Sequence, residues 1–78
     1  MSLKVINVGA TCSNLKEMCK QKNVTPQQIA DALGFTTTAA VYKWFSGKNI
    51  PSIDSLVVIS NILGCTVDEI LVADQVEL

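Results

Sequence analysis

At 78 residues and 8.4 kDa the chain amounts to a single domain. It is 49% hydrophobic but only 5% aromatic and 17% charged, an aliphatic composition that excludes intrinsic disorder. No apolar run approaches the roughly 18 residues a membrane span needs, and Lys4 interrupts an N-terminal stretch lacking a secretory cleavage pattern, so a cytoplasmic protein with no membrane partner is expected.

The charge balance is −1, with six lysines, seven acids, no arginine and no histidine. That sum is unlike a generally basic DNA binder, but the distribution is polarised. Residues 1–50 carry every lysine and two acids, net +4, whereas residues 51–78 carry five acids and no base. The cationic half can approach an anionic polymer while the acidic half is held away. Three cysteines make an odd count, and no histidine completes a zinc site with Cys12 and Cys19. All three read as small hydrophobes, with no metal and no cofactor expected.

Residues 1–10 read as an arm or short edge strand, with Leu3-Lys4-Val5-Ile6-Asn7-Val8 extended and closed by Gly9. A lone strand needs a partner. None is evident in the chain, so a second copy is the expected one. From Thr11 the pattern turns helical, with Leu15, Met18 and Cys19 on one face and an end near Lys22-Asn23. Lys16, Lys20 and Lys22 lie on its wet side. Thr25-Pro26-Gln27-Gln28 starts a second, short helix by capping box and N1 proline; Ile29, Ala30 and Leu33 face inward and Gly34 stops it.

The threonines of Phe35-Thr36-Thr37-Thr38 form a turn and can cap a third helix ending at Gly47. Val41, Trp44 and Phe45 share one face of it; Thr38 with Tyr42, and Ala39 with Lys43 and Ser46, point the other way. Ser52 caps a fourth helix running to Leu63, its buried face expected to be Ile53, Leu56, Ile59 and Leu63 with Ser60. Val57, Val58 and Ile62 add apolar surface around it, which suggests either a dimer patch including Val58 and Ile62 or cover by helix 5 and the tail with Val72, Val76 and Leu78. Thr66-Val67-Asp68-Glu69 opens a short fifth helix, with Ile70 and Leu71 inward, and residues 74–78 are expected to fray. The expected fold is thus all-α: five compact helices over residues 11–73.

The informative unit is helix 2, a turn from Gly34, and helix 3. Two short helices joined by a glycine-containing turn, the second amphipathic, make a helix-turn-helix pattern. A major groove about 12 Å wide admits such a helix if its leading side chains reach base edges. Thr37, Thr38, Ala39 and Tyr42 supply hydroxyls, small size and methyl contacts for that purpose. Lys43, Lys48 and the Asn49 amide are placed to meet phosphates.

Three blocks then carry a resemblance: Thr25-x-x-Gln28-Ile29-Ala30-x-x-Leu33-Gly34; Ala40-Val41-Tyr42-Lys43-Trp44-x-x-Gly47-Lys48-x-x-Pro51; and Ser52 through Leu71. Together they resemble the phage-repressor-like, or XRE-type, helix-turn-helix family over about residues 11–72. The resemblance implies a five-helix repressor-like domain whose third helix reads double-stranded DNA, usually as a homodimer on two half-sites. It places Thr37, Thr38, Ala39 and Tyr42 at base-facing positions, Lys43, Lys48 and Asn49 at backbone-contacting ones, and Gln27 and Gln28 near phosphate at the start of helix 2. With no arginine, bidentate guanine contacts are absent, so hydroxyl and shape readout should dominate.

The expected function is sequence-specific transcriptional regulation by operator occupancy, with no effector domain after Leu78 and no small-molecule effector evident. The alternative is a protein-interaction module of antitoxin or antirepressor kind with weak DNA binding, favoured by the negative balance and the missing arginines. An enzyme is not expected: there is no histidine, no carboxylate pair outside the Asp68-Glu69 cap, and no phosphate-cradling glycine loop.

Overall fold

The computed structural model describes residues 1–78. Seven elements follow in order: β1 (Ser2–Ile6), α1 (Val8–Gln21), α2 (Pro26–Leu33), α3 (Ala39–Phe45), α4 (Ile53–Leu63), α5 (Val67–Ile70) and β2 (Ala73–Glu77). Five helices are present as expected, but the fold is not strictly all-α. β1 and β2 pair antiparallel in a two-stranded ribbon, with Leu3 opposite Val76 and Val5 opposite Asp74. The expected fraying tail is therefore a strand, and the partner of the N-terminal strand lies in the same chain.

Local chemistry explains most boundaries. Thr25 Oγ1 accepts from Gln28 N while Gln28 Oε1 accepts from Thr25 N, and Thr66 with Glu69 repeats this reciprocal cap on α5. α1 starts three residues before the expected Thr11, because Asn7 Oδ1 accepts from Ala10 N at 2.9 Å and draws Gly9 into the first turn. α2 and α4 end at Gly34 and Gly64, both left-handed at φ +74° and +70°, where a β-carbon would be strained. Asn23 is the single non-glycine residue with positive φ and turns the chain out of α1.

The core draws on all five helices: Leu15 and Cys19, Ile29 and Ala30, Val41 and Trp44, Leu56, Ile59 and Leu63, and Ile70. Ile53 is not among them; at the first turn of α4 it is 78% exposed, so the inward face of that helix is Ser55, Leu56, Ile59, Ser60 and Leu63. Polar bonds stitch α1 to the far end of the chain. Asn14 Nδ2 donates to the carbonyls of Glu69 and Ile70, which α5, only four residues long, leaves unpaired. The ribbon itself belongs to no part of the core, and every residue of both strands is exposed. A five-residue strand is roughly 17 Å long, which accounts for extents of 43 × 23 × 21 Å.

Candidate nucleic-acid interface

α3 is anchored on one side and open on the other. Val41 is fully buried and Trp44 is 5% exposed, with the Phe35 ring tilted against Trp44 at a centroid distance of 6.1 Å. Trp44 is therefore a core aromatic rather than a stacking platform. Opposite it, Ala39, Tyr42, Lys43 and Ser46 are exposed. Tyr42 is 58% exposed and meets Phe45 edge-on at 6.4 Å, so its ring is propped outward with the hydroxyl free. Phe45 itself is only half-buried at the border of the two faces.

Thr37 is exposed and Thr38 half-buried at the entry to α3. Thr38 occupies the cap position without making a side-chain cap bond, and Thr37 Oγ1 accepts only a long bond from Ala39 N at 3.4 Å. The threonines hold α3 weakly, which leaves their hydroxyls available to a ligand. Beyond α3, Gly47 adopts φ +85° and turns the chain so that Lys48 and Asn49 stand exposed on a loop. That loop is fastened to α1: Cys12 Sγ donates to the Asn49 carbonyl at 3.5 Å, and Pro51 is buried behind it.

The two glutamines of α2 are less free than the sequence implied. Gln27 Nε2 donates to Asp31 at 2.8 Å, and Gln28 Oε1 is spent on the cap of its own helix. Each keeps only part of its amide for another partner. Val58 is half-buried and not exposed as expected, and Ile62 is 36% exposed, so together they make a thin apolar strip. Nor does the C-terminal segment cover α4, because it is committed to β2 and Val76 and Leu78 are 38% and 75% exposed.

One feature could not be read from the sequence. Packing of α1 against α3 forms an open groove of about 690 Å³ lined by Lys16, Glu17, Cys19, Lys20, Val24 and Phe45. Lys16 and Lys20, 29 and 25 positions before Phe45, thus stand beside the end of α3. Helical periodicity placed them on the wet side of α1 but gave no clue to which helix they would face.

The cysteines show no sign of reactive chemistry. Burial, with Cys65 close by, pushes the Cys19 thiol up to about 11. Burial also raises Cys12, and Cys65 is raised by burial and Glu69 against a smaller opposite effect of Lys22. At neutral pH all three are thiols rather than nucleophilic thiolates.

Comparison with known proteins agrees with this geometry. Residues 15–70 match the helix-turn-helix family HTH_3. The chain is 36% identical over 61 residues to the HTH-type transcriptional activator BcrR of Enterococcus faecalis, covering 78% of this chain and 29% of that protein. It is 39% identical over 64 residues to the uncharacterized HTH-type transcriptional regulator YqaE of Bacillus subtilis (strain 168), covering 82% of this chain and 54% of that one. The matched regions are thus about a third and about half of these longer relatives. No helix is long and apolar enough to cross a membrane. From its capped second helix to its open third, and across most of its length, the chain belongs to the XRE-type helix-turn-helix family of DNA-binding transcriptional regulators.

Proposed function

We propose that the protein binds specific operator sequences in double-stranded DNA and regulates transcription by occupying them. The observation that carries this reading is the division of α3, with Val41 and Trp44 locked in the core and Ala39, Tyr42 and Lys43 exposed beside them. In this reading α3 lies in the major groove. Thr37, Thr38, Ala39 and Tyr42 meet base edges and thymine methyls, while Lys43, Lys48 and Asn49 meet phosphates. Lys16 and Lys20 extend the cationic track along α1, and Gln27 and Gln28 contribute the remaining half of each amide. Two copies occupy two half-sites, about one helical turn apart. Occupancy then blocks or adjusts access of polymerase; one relative is named a transcriptional activator, which favours the second outcome.

The decisive experiment is selection of bound sequences from a random duplex pool, followed by mobility shift on the enriched site. The reading requires a symmetric motif and an affinity that falls with salt. With about four lysine–phosphate contacts per copy, log affinity should fall with log salt at roughly 0.9 per contact. The acidic half of the chain favours a second reading, a protein-interaction module that keeps the fold. Failure to retain any duplex at low salt would favour that module instead.

A further inference from the structure

We propose that Cys12 is a positioning residue for DNA binding, holding the loop of Lys48 and Asn49 where those two side chains reach phosphate. The inference rests on the DNA-binding reading for its consequence, and on the geometry of α1 and the loop for the anchor itself. The two halves of the loop are held differently. Its start is closed by bonds back onto α3: Gly47 N donates to Trp44 O and Lys48 N to Lys43 O, both at 3.1 Å, and Ser46 Oγ donates to the Lys43 carbonyl at 2.9 Å. Past Lys48 those bonds stop. Neither Asn49 nor Ile50 takes part in any main-chain hydrogen bond, and regular structure resumes only at Ser52, the cap of α4. The bond from Cys12 Sγ to the Asn49 carbonyl, at 3.5 Å, is therefore the one hydrogen bond that ties Asn49 and Ile50 to the rest of the fold.

Packing does not replace that bond. A cleft of about 430 Å³, lined by Gly9, Cys12, Ser13, Phe45, Ser46 and Gly47, opens between α1 and the turn and leaves the turn room to shift. Cys12 is 1% exposed yet stands outside the ten-residue core cluster to which Cys19 belongs, and its thiol reaches the loop instead. Burial raises the pKa of this thiol, so at neutral pH it keeps the proton that the bond requires.

The size of the effect follows from the strength of the anchor. A thiol is a weak donor, and one neutral hydrogen bond is worth roughly 2- to 10-fold in an equilibrium constant. Losing it lowers the fraction of molecules whose loop is already in place, and apparent affinity falls by that fraction and no further. Cys12 thus acts on DNA through Lys48 and Asn49, without touching it.

The test compares the unaltered full chain with Cys12→Val, close in size but without a donor, and with Cys12→Ser, which keeps one. In the free protein, amide hydrogen exchange and backbone relaxation by NMR should show Asn49 and Ile50 more mobile in Cys12→Val than in the other two, with helical circular dichroism retained. Should the valine variant lose its helices, Cys12→Ala serves the same comparison. Affinity of Cys12→Val for the selected duplex should fall roughly 2- to 10-fold, and Cys12→Ser should lose less. Added to the double variant Lys48→Ala/Asn49→Ala, the same substitution should change affinity by less than about twofold, because no loop contact remains to be positioned. A purely structural role lowers thermal stability without this dependence on Lys48 and Asn49. Unchanged loop mobility, unchanged affinity, or an equal loss of affinity in both backgrounds overturns the proposal. Retention of no duplex by the unaltered protein refutes the DNA-binding reading instead, while the NMR comparison still judges the anchor.

Discussion

Thr11 is fully buried, and its hydroxyl exchanges two hydrogen bonds with the backbone of Val72, accepting from the amide at 2.9 Å and donating to the carbonyl at 3.2 Å. The same carbonyl accepts from Asn7 N at 2.8 Å. One side chain on α1 thereby holds the segment between α5 and β2, and with it the point where the C-terminal strand begins.

Thr11→Val preserves shape but leaves the Val72 amide without its partner. A buried donor stripped in this way costs about 1–3 kcal/mol, and each kcal/mol is worth roughly 4–8 °C in a domain of this size. Thermal unfolding followed by circular dichroism should show that drop. Thr11→Ser, which keeps the hydroxyl, should recover most of it.

Lys43 stands exposed on the open side of α3 and makes no hydrogen bond through its ammonium within the chain. As a phosphate contact it should act alike on all sequences. Lys43→Ala is expected to weaken binding to selected and random duplexes by similar factors and to lower the salt slope by roughly one. Titrations at several salt concentrations check both numbers. An unchanged slope removes Lys43 from the interface.

Tyr42, whose ring stands exposed and edge-on to Phe45, is proposed to meet bases rather than phosphate and should behave differently. Loss of a base contact costs about 1–3 kcal/mol. Tyr42→Ala should therefore reduce affinity for the selected site by roughly 5- to 150-fold and affinity for random DNA much less. Equal losses on both would mark Tyr42 as a backbone contact.

The buried thiols predict a loss of stability in alkali. Cys19 holds its proton up to about 11, above the ordinary value of 9.0 that it regains when unfolded. Between these two values the folded state binds more protons than the unfolded state, so stability falls as pH rises through that window and is unaffected below it. Chemical denaturation between pH 7 and pH 11 should show this decline. Cys19→Ala should flatten it, although that change also removes a core side chain and lowers stability at every pH. At pH 8, a thiol reagent should label half-exposed Cys65 first and reach Cys12 and Cys19 only on unfolding.

Local signals carried much of the fold. Thr25 with Gln28 and Thr66 with Glu69 are reciprocal caps spaced three apart, so both helix starts could be read directly. Gly34 and Gly64 supplied the stops, and the 3.6-residue period predicted Val41 and Trp44 inward with Tyr42 and Lys43 outward. Ile53 went astray because it has the right period but lies at the first turn of α4, where no neighbouring helix covers it. Val58 was misplaced for the converse reason: its neighbours half-bury a position that an isolated helix leaves open.

The ribbon is where sequence reasoning reached its limit. Residues 73–77 are polar, short and weak in strand propensity, and pairing with residues 2–6 joins segments about seventy positions apart. In the folded chain α1 packs against α5 and Thr11 holds Val72, which sets the two segments side by side. The helices, their caps and the two faces of α3 follow from interactions three or four residues apart, which the order of amino acids alone determines. The strand pairing and the approach of Lys16 and Lys20 to α3 depend on contacts between distant segments, so only the assembled tertiary structure decides them.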